Sequence, residues 1–324
     1  MNFKKVLQYI FALAIIVAVG YFFYDQFKRN WDAIRTYHFA INFYYIIAAI
    51  FVMTIGFLID TYICQIFVNY YLPKKLKFWE SIALYNTTAM LKYIPGKIWI
   101  YAAQIALMSS KGISKAILIY INIVCFICLT FTSTIYVLYY YLFYLQMASW
   151  EISILIFILL IVLDFVFIIW NTPIINYLII PINRIFKREI QPIKIKRMLL
   201  IYLQLLYLLG YVPVGIGMYF LAKGIGIEIQ FSSILAIIAT LCVSLTFGNI
   251  AFFSPGGLGI REGTMFVMLK QFSNVETALI LPIAMRLIYI IIELLLGIIG
   301  ILVGIKYGYF PKQAKSRKSN DYRV

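Results

Sequence analysis

Hydrophobic positions in this chain fall in long runs, and the charged positions gather where the runs end. Apolar runs at about 5–24, 41–72, 113–143, 150–171, 198–222 and 274–306 each approach or exceed the roughly 20 residues a helix needs to cross the hydrocarbon core. Two further stretches, 78–109 and 231–270, are apolar overall but interrupted. The first carries Glu80, Asn86, Thr87, Thr88, Lys92 and Lys97 and is cut by Pro95-Gly96; the second is cut by Ser254-Pro255-Gly256-Gly257-Leu258-Gly259. Proline removes a backbone donor and glycine frees the dihedrals, so each stretch reads as two half helices joined by a turn. The pattern predicts an all-α fold: a polytopic membrane helix bundle of six full spans and two re-entrant hairpins, forming one integral membrane domain over 1–324.

Composition agrees with the pattern and removes other classes. Hydrophobic residues make up 64% of the chain and charged residues 12%, against roughly 45–50% and 25% in soluble domains. The formal charge of +16 comes from 28 Lys and Arg set against 12 acids. Because it collects at segment ends, it marks cytoplasmic loops and anionic lipid contact, not nucleic acid. The first run follows Lys4 and Lys5 and ends in aromatics without a small-residue cleavage site, so it reads as an uncleaved helix. Basic residues at 74–77, 111–115 and 184–197, with the basic tail 307–324, place both termini on the cytoplasmic side of the inner membrane. The loop with Lys28, Arg29 and Arg35 is discordant, but Asp25 and Asp32 offset it. The segment 173–197 reads as an interfacial helix and loop on an anionic leaflet.

An internal repeat emerges from this order. Repeat 1 covers about 41–143 with its hairpin at 78–109, and repeat 2 covers about 198–306 with its hairpin at 231–270. Each has a long helix, an interrupted helix and a long helix, with opposite predicted orientation. That is the pattern of inverted-repeat transporters, whose hairpins meet near the midplane.

The candidate chemistry sits at the breaks. Each break starts a half helix whose first N–H groups lack intrahelical partners and whose dipole favours an anion. Lys97 follows Pro95 and Gly96, and Arg261 follows Pro255, Gly256, Gly257 and Gly259, so side-chain cations reinforce the backbone. Arg286 and Glu293, seven residues apart, share one face of the last long run. Glu262 is placed to neutralise Arg261 or Arg286. These residues form either a seat for an acidic head group or an ion-pair network that only holds the bundle together. Asp60 and Asp164 are further intramembrane acids able to pair or to relay protons.

Little else is available for chemistry. Cys64, Cys125, Cys128 and Cys242 all lie in apolar runs; the Cys125/Cys128 spacing has no second pair and no nearby histidine, so packing is the expected role. His38 is the single histidine and falls between the first two runs. No catalytic set, cofactor site or metal site is expected.

At the breaks the chain resembles a family. Tyr93-Ile94-Pro95-Gly96-Lys97-Ile98-Trp99 and Ser254-Pro255-Gly256-Gly257-Leu258-Gly259-Ile260-Arg261-Glu262-Gly263 are similar to the flippase-like membrane proteins typified by the transmembrane region of lysylphosphatidylglycerol synthase. The resemblance implies a bundle that moves or handles an acidic or amino-acylated lipid, beside envelope glycolipid or polysaccharide pathways. Bifunctional members add a cytoplasmic synthase domain; this sequence ends at Val324, so lysyl transfer is not expected of it. Three functions stay open: a lipid translocase, a membrane transferase or phosphatase on a lipid-linked sugar with Glu262 or Asp164 as base, and a scaffold for envelope-biosynthesis enzymes.

Overall fold

The computed structural model describes residues 40–72, 74–93, 98–109, 115–146, 149–186, 195–251 and 254–308, together with Tyr24 and Lys28. Expectations placed on the run at 5–24, on His38, on Pro95, Gly96 and Lys97, on the segment 187–194 and on the tail from 309 lie outside the described residues.

Every regular element among the described residues is helical. In chain order they are α1 (Phe43–Tyr71), the composite run α2 (78–93), α3 (Ile98–Ser109), α4 (Lys115–Tyr139, continued by a π turn at Tyr140–Tyr144), α5 (Trp150–Phe186), α6 (Arg197–Gly224), α7 (Ile234–Ile250), α8 (Ile260–Leu269) and α9 (Val275–Lys306). Within α2, short α segments at Phe78–Ser81 and Thr87–Ala89 flank a π turn at Ile82–Asn86, and a 3₁₀ turn at Met90–Tyr93 closes it.

Among the described residues, six helices are long and apolar enough to cross a membrane, so this is a multi-pass membrane protein. Five coincide with expected spans. The sixth, Phe231–Ile250, was expected to be one limb of a hairpin, yet its 20 residues suffice for a crossing by length and composition. The break lies late in that stretch, so the limbs are unequal: α8 has only 10 residues, about 15 Å of rise, too short for a hydrocarbon core of about 30 Å.

A second difference concerns 150–197. The expected span and the segment beginning at Pro173 form one helix of 37 residues, bent at Trp170 (φ −104°, ψ 23°). Pro173 cannot donate to the preceding turn and its ring crowds it, which bends the helix without ending it. Asn171 Nδ2 donates to the Ile168 carbonyl (2.7 Å) beside the bend.

Lipid tails are as apolar as leucine, so helices in a membrane associate through close packing and polar contacts. The α1/α6 pair shows this. Its members run antiparallel: Asn42 N–H, before α1, donates to the Gly224 carbonyl at the end of α6 (2.8 Å), while Gly56 faces Gly210. At Gly217 a β-carbon would collide with Met53 Cγ and stand 3.1 Å from the Ala49 carbonyl, so glycine lets the two helices approach closely. The helices α1 and α6 open the two expected repeats, 41–143 and 198–306, and they run in opposite directions.

Buried side chains form two large clusters. One joins the first part of α1 to the end of α6 and to α7, α8 and α9, with Met53, Met218, Leu241, Leu279 and Met285 at its centre. The other joins the second part of α1 to α2, α3, α4, α5 and the start of α6 around Phe67, Leu84, Tyr120 and Leu203. Each surrounds a polar feature, described next.

Candidate functional site

The turn between α7 and α8 carries three left-handed glycines: Gly256 (φ 58°), Gly257 (φ 73°) and Gly259 (φ 81°). Residues with a β-carbon strain in this region, so the Pro-Gly-Gly-Leu-Gly sequence makes a turn that few others would. It also brings backbone against two arginines. A β-carbon at Gly256 would stand 2.7 Å from Arg286 Nη2, and one at Gly257 would stand 3.0 Å from Arg261 Nε.

Four expected charges are brought together, and all are buried: Arg261 and Glu262 on α8, Arg286 and Glu293 on α9. Arg286 Nη2 donates to the Gly256 carbonyl (2.8 Å), and its Nε lies 3.4 Å from Glu262 Oε1. Arg261 Nη2 donates to Asn249 Oδ1 at the end of α7 (3.1 Å), and its own carbonyl accepts from Ser244 Oγ (3.0 Å). Glu262 therefore faces Arg286, one of the two partners the sequence offered it.

Glu293 turns to the other break. Its carboxylate pairs with Lys92 Nζ and accepts a hydrogen bond from Tyr93 Oη (2.6 Å), both at the end of α2. The Arg286 guanidinium sits over the Tyr93 ring, 5.5 Å from its centroid, within cation–π range. Segments 90–93 and 255–257 are in contact, so the residues that precede the first break meet the second. Lys92, Tyr93, Ser244 and Asn249 were not among the expected site residues. Lys92 alone carried a signal, a cation deep in an apolar stretch. Pro95, Gly96 and Lys97 lie outside the described residues, and so does any role of theirs here.

One expectation changes in detail. The first amides of α8 were to offer an open seat to an anion, but Gly259 N–H donates to Glu262 Oε2 (2.6 Å). The helix start is capped by the chain's own carboxylate. What remains available is on the arginines: Arg261 Nε and Arg286 Nη1 are buried and donate to no partner among the described residues. A cavity of only about 10 Å³ borders them, lined by Ser244, Arg261, Glu262, Arg286 and Tyr289. That is room for about one water.

Three cations, Lys92, Arg261 and Arg286, thus share two carboxylates, Glu262 and Glu293, leaving one positive charge in excess within the described cluster. Residues 9–297 match the model of the lysylphosphatidylglycerol synthase TM region. The chain belongs to this family. No curated protein and no solved structure matched. For a member of the lysylphosphatidylglycerol synthase TM-region family, the cluster is the concentration of buried charge that a membrane interior would otherwise exclude.

Elsewhere, Asp164 on α5 accepts from Gln204 Nε2 on α6 (2.6 Å), away from the cluster. Cys128 and Cys242 are buried, and no group of three or more His, Cys, Asp or Glu suited to a metal occurs among the described residues.

Proposed function

We propose that this protein is a lipid translocase that takes an acidic head group between the tips 90–93 and 255–262. The observation that carries the reading is the pair of buried guanidinium groups with donors to spare, Arg261 Nε and Arg286 Nη1, in a cluster with one cation in excess. Buried donors without acceptors are costly, and a phosphate oxygen would satisfy them while cancelling the charge. The antiparallel arrangement of α1 and α6 supports alternating access, in which one half rocks against the other and exposes the tips to each side in turn. Acyl or prenyl chains would stay in the bilayer. The setting is the inner membrane with both termini cytoplasmic, beside envelope-biosynthesis enzymes, and the role is that of a carrier and not of an enzyme.

In this conformation the tips are closed over a cavity for one water, so head-group entry requires the Arg286–Glu262 or Lys92–Glu293 pair to part. The test is head-group crossing in proteoliposomes over a panel of phospholipids and polyprenyl-phosphate lipids. Intact protein should speed the crossing of anionic members, and R261Q and R286Q should each abolish the gain. A panel in which no lipid crosses faster than in protein-free vesicles would sink the transport reading.

The tightness of the same gap favours a second reading, in which the charges only lock the bundle of a non-transporting scaffold. That reading expects R286Q to lower thermal stability and leave lipid binding unchanged. Anionic lipid that co-purifies with the wild type and is lost in R286Q speaks against it.

A further inference from the structure

A second polar site lies apart from the charged cluster, on the far side of α2. A partly open cavity of about 40 Å³, room for a few waters, is bordered by α1, α2, α3, α4 and α6. Asp60 of α1 is its one carboxylate. Tyr85 Oη donates to Asp60 Oδ2 (2.7 Å), and among the described hydrogen bonds this is the only one the carboxyl receives. No salt bridge reaches Asp60 among the described residues, in contrast to Glu262 and Glu293. The other titratable groups facing it are Cys64 on its own helix, Cys125 of α4 and Tyr207 of α6; α3 contributes the amide Gln104 to the wall and no titratable group. Lys92 of α2 is paired with Glu293 instead.

We infer that Asp60 is a proton-binding site, loaded from the water of this cavity, whose occupancy is read at the charged cluster through α2. A lone carboxyl in a membrane interior, with one phenol donor and no cation in contact, is held most cheaply as the acid, and its cavity gives the proton a way in. The walls argue against a metal cation instead. Sodium sites in broken-helix carriers use backbone carbonyls freed by unwinding, whereas α1 is an unbroken helix through Asp60. Asn122 donates to its own Leu118 carbonyl (2.8 Å), which leaves its Oδ1 as one more acceptor for cavity water.

The connection to the cluster is covalent and short. Successive residues of the π turn are tied to successive residues of α1: Tyr85 to Asp60, and Asn86 Nδ2 to Thr61 Oγ1 (2.9 Å). Lys92 and Tyr93, at the end of the same run, hold Glu293. A π turn is a register defect that a small shift can move or remove. Releasing the proton from Asp60 creates a carboxylate that competes with Glu293 for Lys92, and the run between them is the element that would move. The coupling to head-group entry rests on the translocase reading; the proton site does not.

The experiment separates the two. Infrared difference spectra of the purified full chain between acid and alkaline buffer should show the carbonyl stretch of a protonated carboxylic acid. That band should be lost in D60N, kept in D164N and shifted in Y85F, whose hydrogen bond to the acid is removed. A band that survives in folded D60N overturns the site, as does one in wild type that responds to sodium at constant pH. Transport in proteoliposomes should follow an imposed pH gradient in wild type and ignore it in D60N. A protein that moves no lipid but shows the Asp60 band defeats the translocase reading alone, and D60N transport that still follows the gradient removes the coupling.

Discussion

The cluster at Arg286 and the cavity at Asp60 solve the same problem in opposite ways. Both put carboxylates inside a lipid-facing bundle, where an isolated charge is expensive. At the cluster, Glu262 and Glu293 are answered by cations, and the cavity beside Glu262 is only about 10 Å³. At the cavity, Asp60 has a phenol for a partner and about 40 Å³ of room. Pairing draws side chains together and expels water, while an unpaired acid keeps water near. The comparison therefore distinguishes a site that must open before it binds anything large from one already open to a proton.

The strongest way to break the comparison is to remove one partner of the tighter site. E293Q leaves the half-buried Lys92 without its carboxylate, and taking one member from a pair in the bundle interior costs on the order of 3 kcal/mol. The variant should unfold at markedly lower temperature in detergent. Adding K92M should recover most of the loss, because neither charge is then stranded. Equal melting of E293Q and wild type would mean that the pair is not formed in the membrane protein.

Smaller in effect is the turn itself. G256A places a β-carbon at φ 58°, within 2.7 Å of Arg286 Nη2, at a cost of about 2 kcal/mol. It also pushes the guanidinium away from the Gly256 carbonyl and the Tyr93 ring. Thermal melting should fall, and lipid retained through purification should fall with it; unchanged values for both would show that the turn is free to rearrange. Below that stands N249A, which takes the acceptor from Arg261 Nη2 and should cost about 1.5 kcal/mol, the usual worth of a hydrogen bond to a charged group. If Arg261 turns to a lipid phosphate instead, anionic lipid should offset part of the loss in a melting assay.

Much of this was legible in the sequence where a residue contradicted its surroundings. Arg261, Glu262, Arg286 and Glu293 stand out because charge in an apolar run needs a reason, and all four are in the cluster. Helix content and membrane span length follow from hydropathy for the same reason. Partnership was harder to read. Lys92 and Glu293 are 201 positions apart, and no periodicity links them; Lys97, just past Pro95-Gly96, is the more conspicuous cation. Backbone acceptors such as the Gly256 carbonyl carry no letter at all. The capping of α8 was readable in principle, since a glycine followed three positions later by Glu262 has the spacing by which a glutamate reaches back to the first free amide. The unequal limbs of 231–270 were readable too, by counting residues on each side of the break.

The smallest expected effect is the most discriminating. If Asp60 is held as an acid and not by a cation, D60N replaces one neutral polar group with another of nearly the same shape. Its amide oxygen can still accept from Tyr85 Oη, and the water in the cavity can adjust around the new NH₂ group. Stability should then change by less than about 1 kcal/mol, well under the cost of E293Q, even though both substitutions turn an intramembrane acid into its amide. Melting curves of the two variants, side by side in one detergent, decide the matter. A D60N loss as large as that of E293Q would mean that Asp60 is ionised and held by a cation, with Lys92 the candidate, and that the two sites work alike.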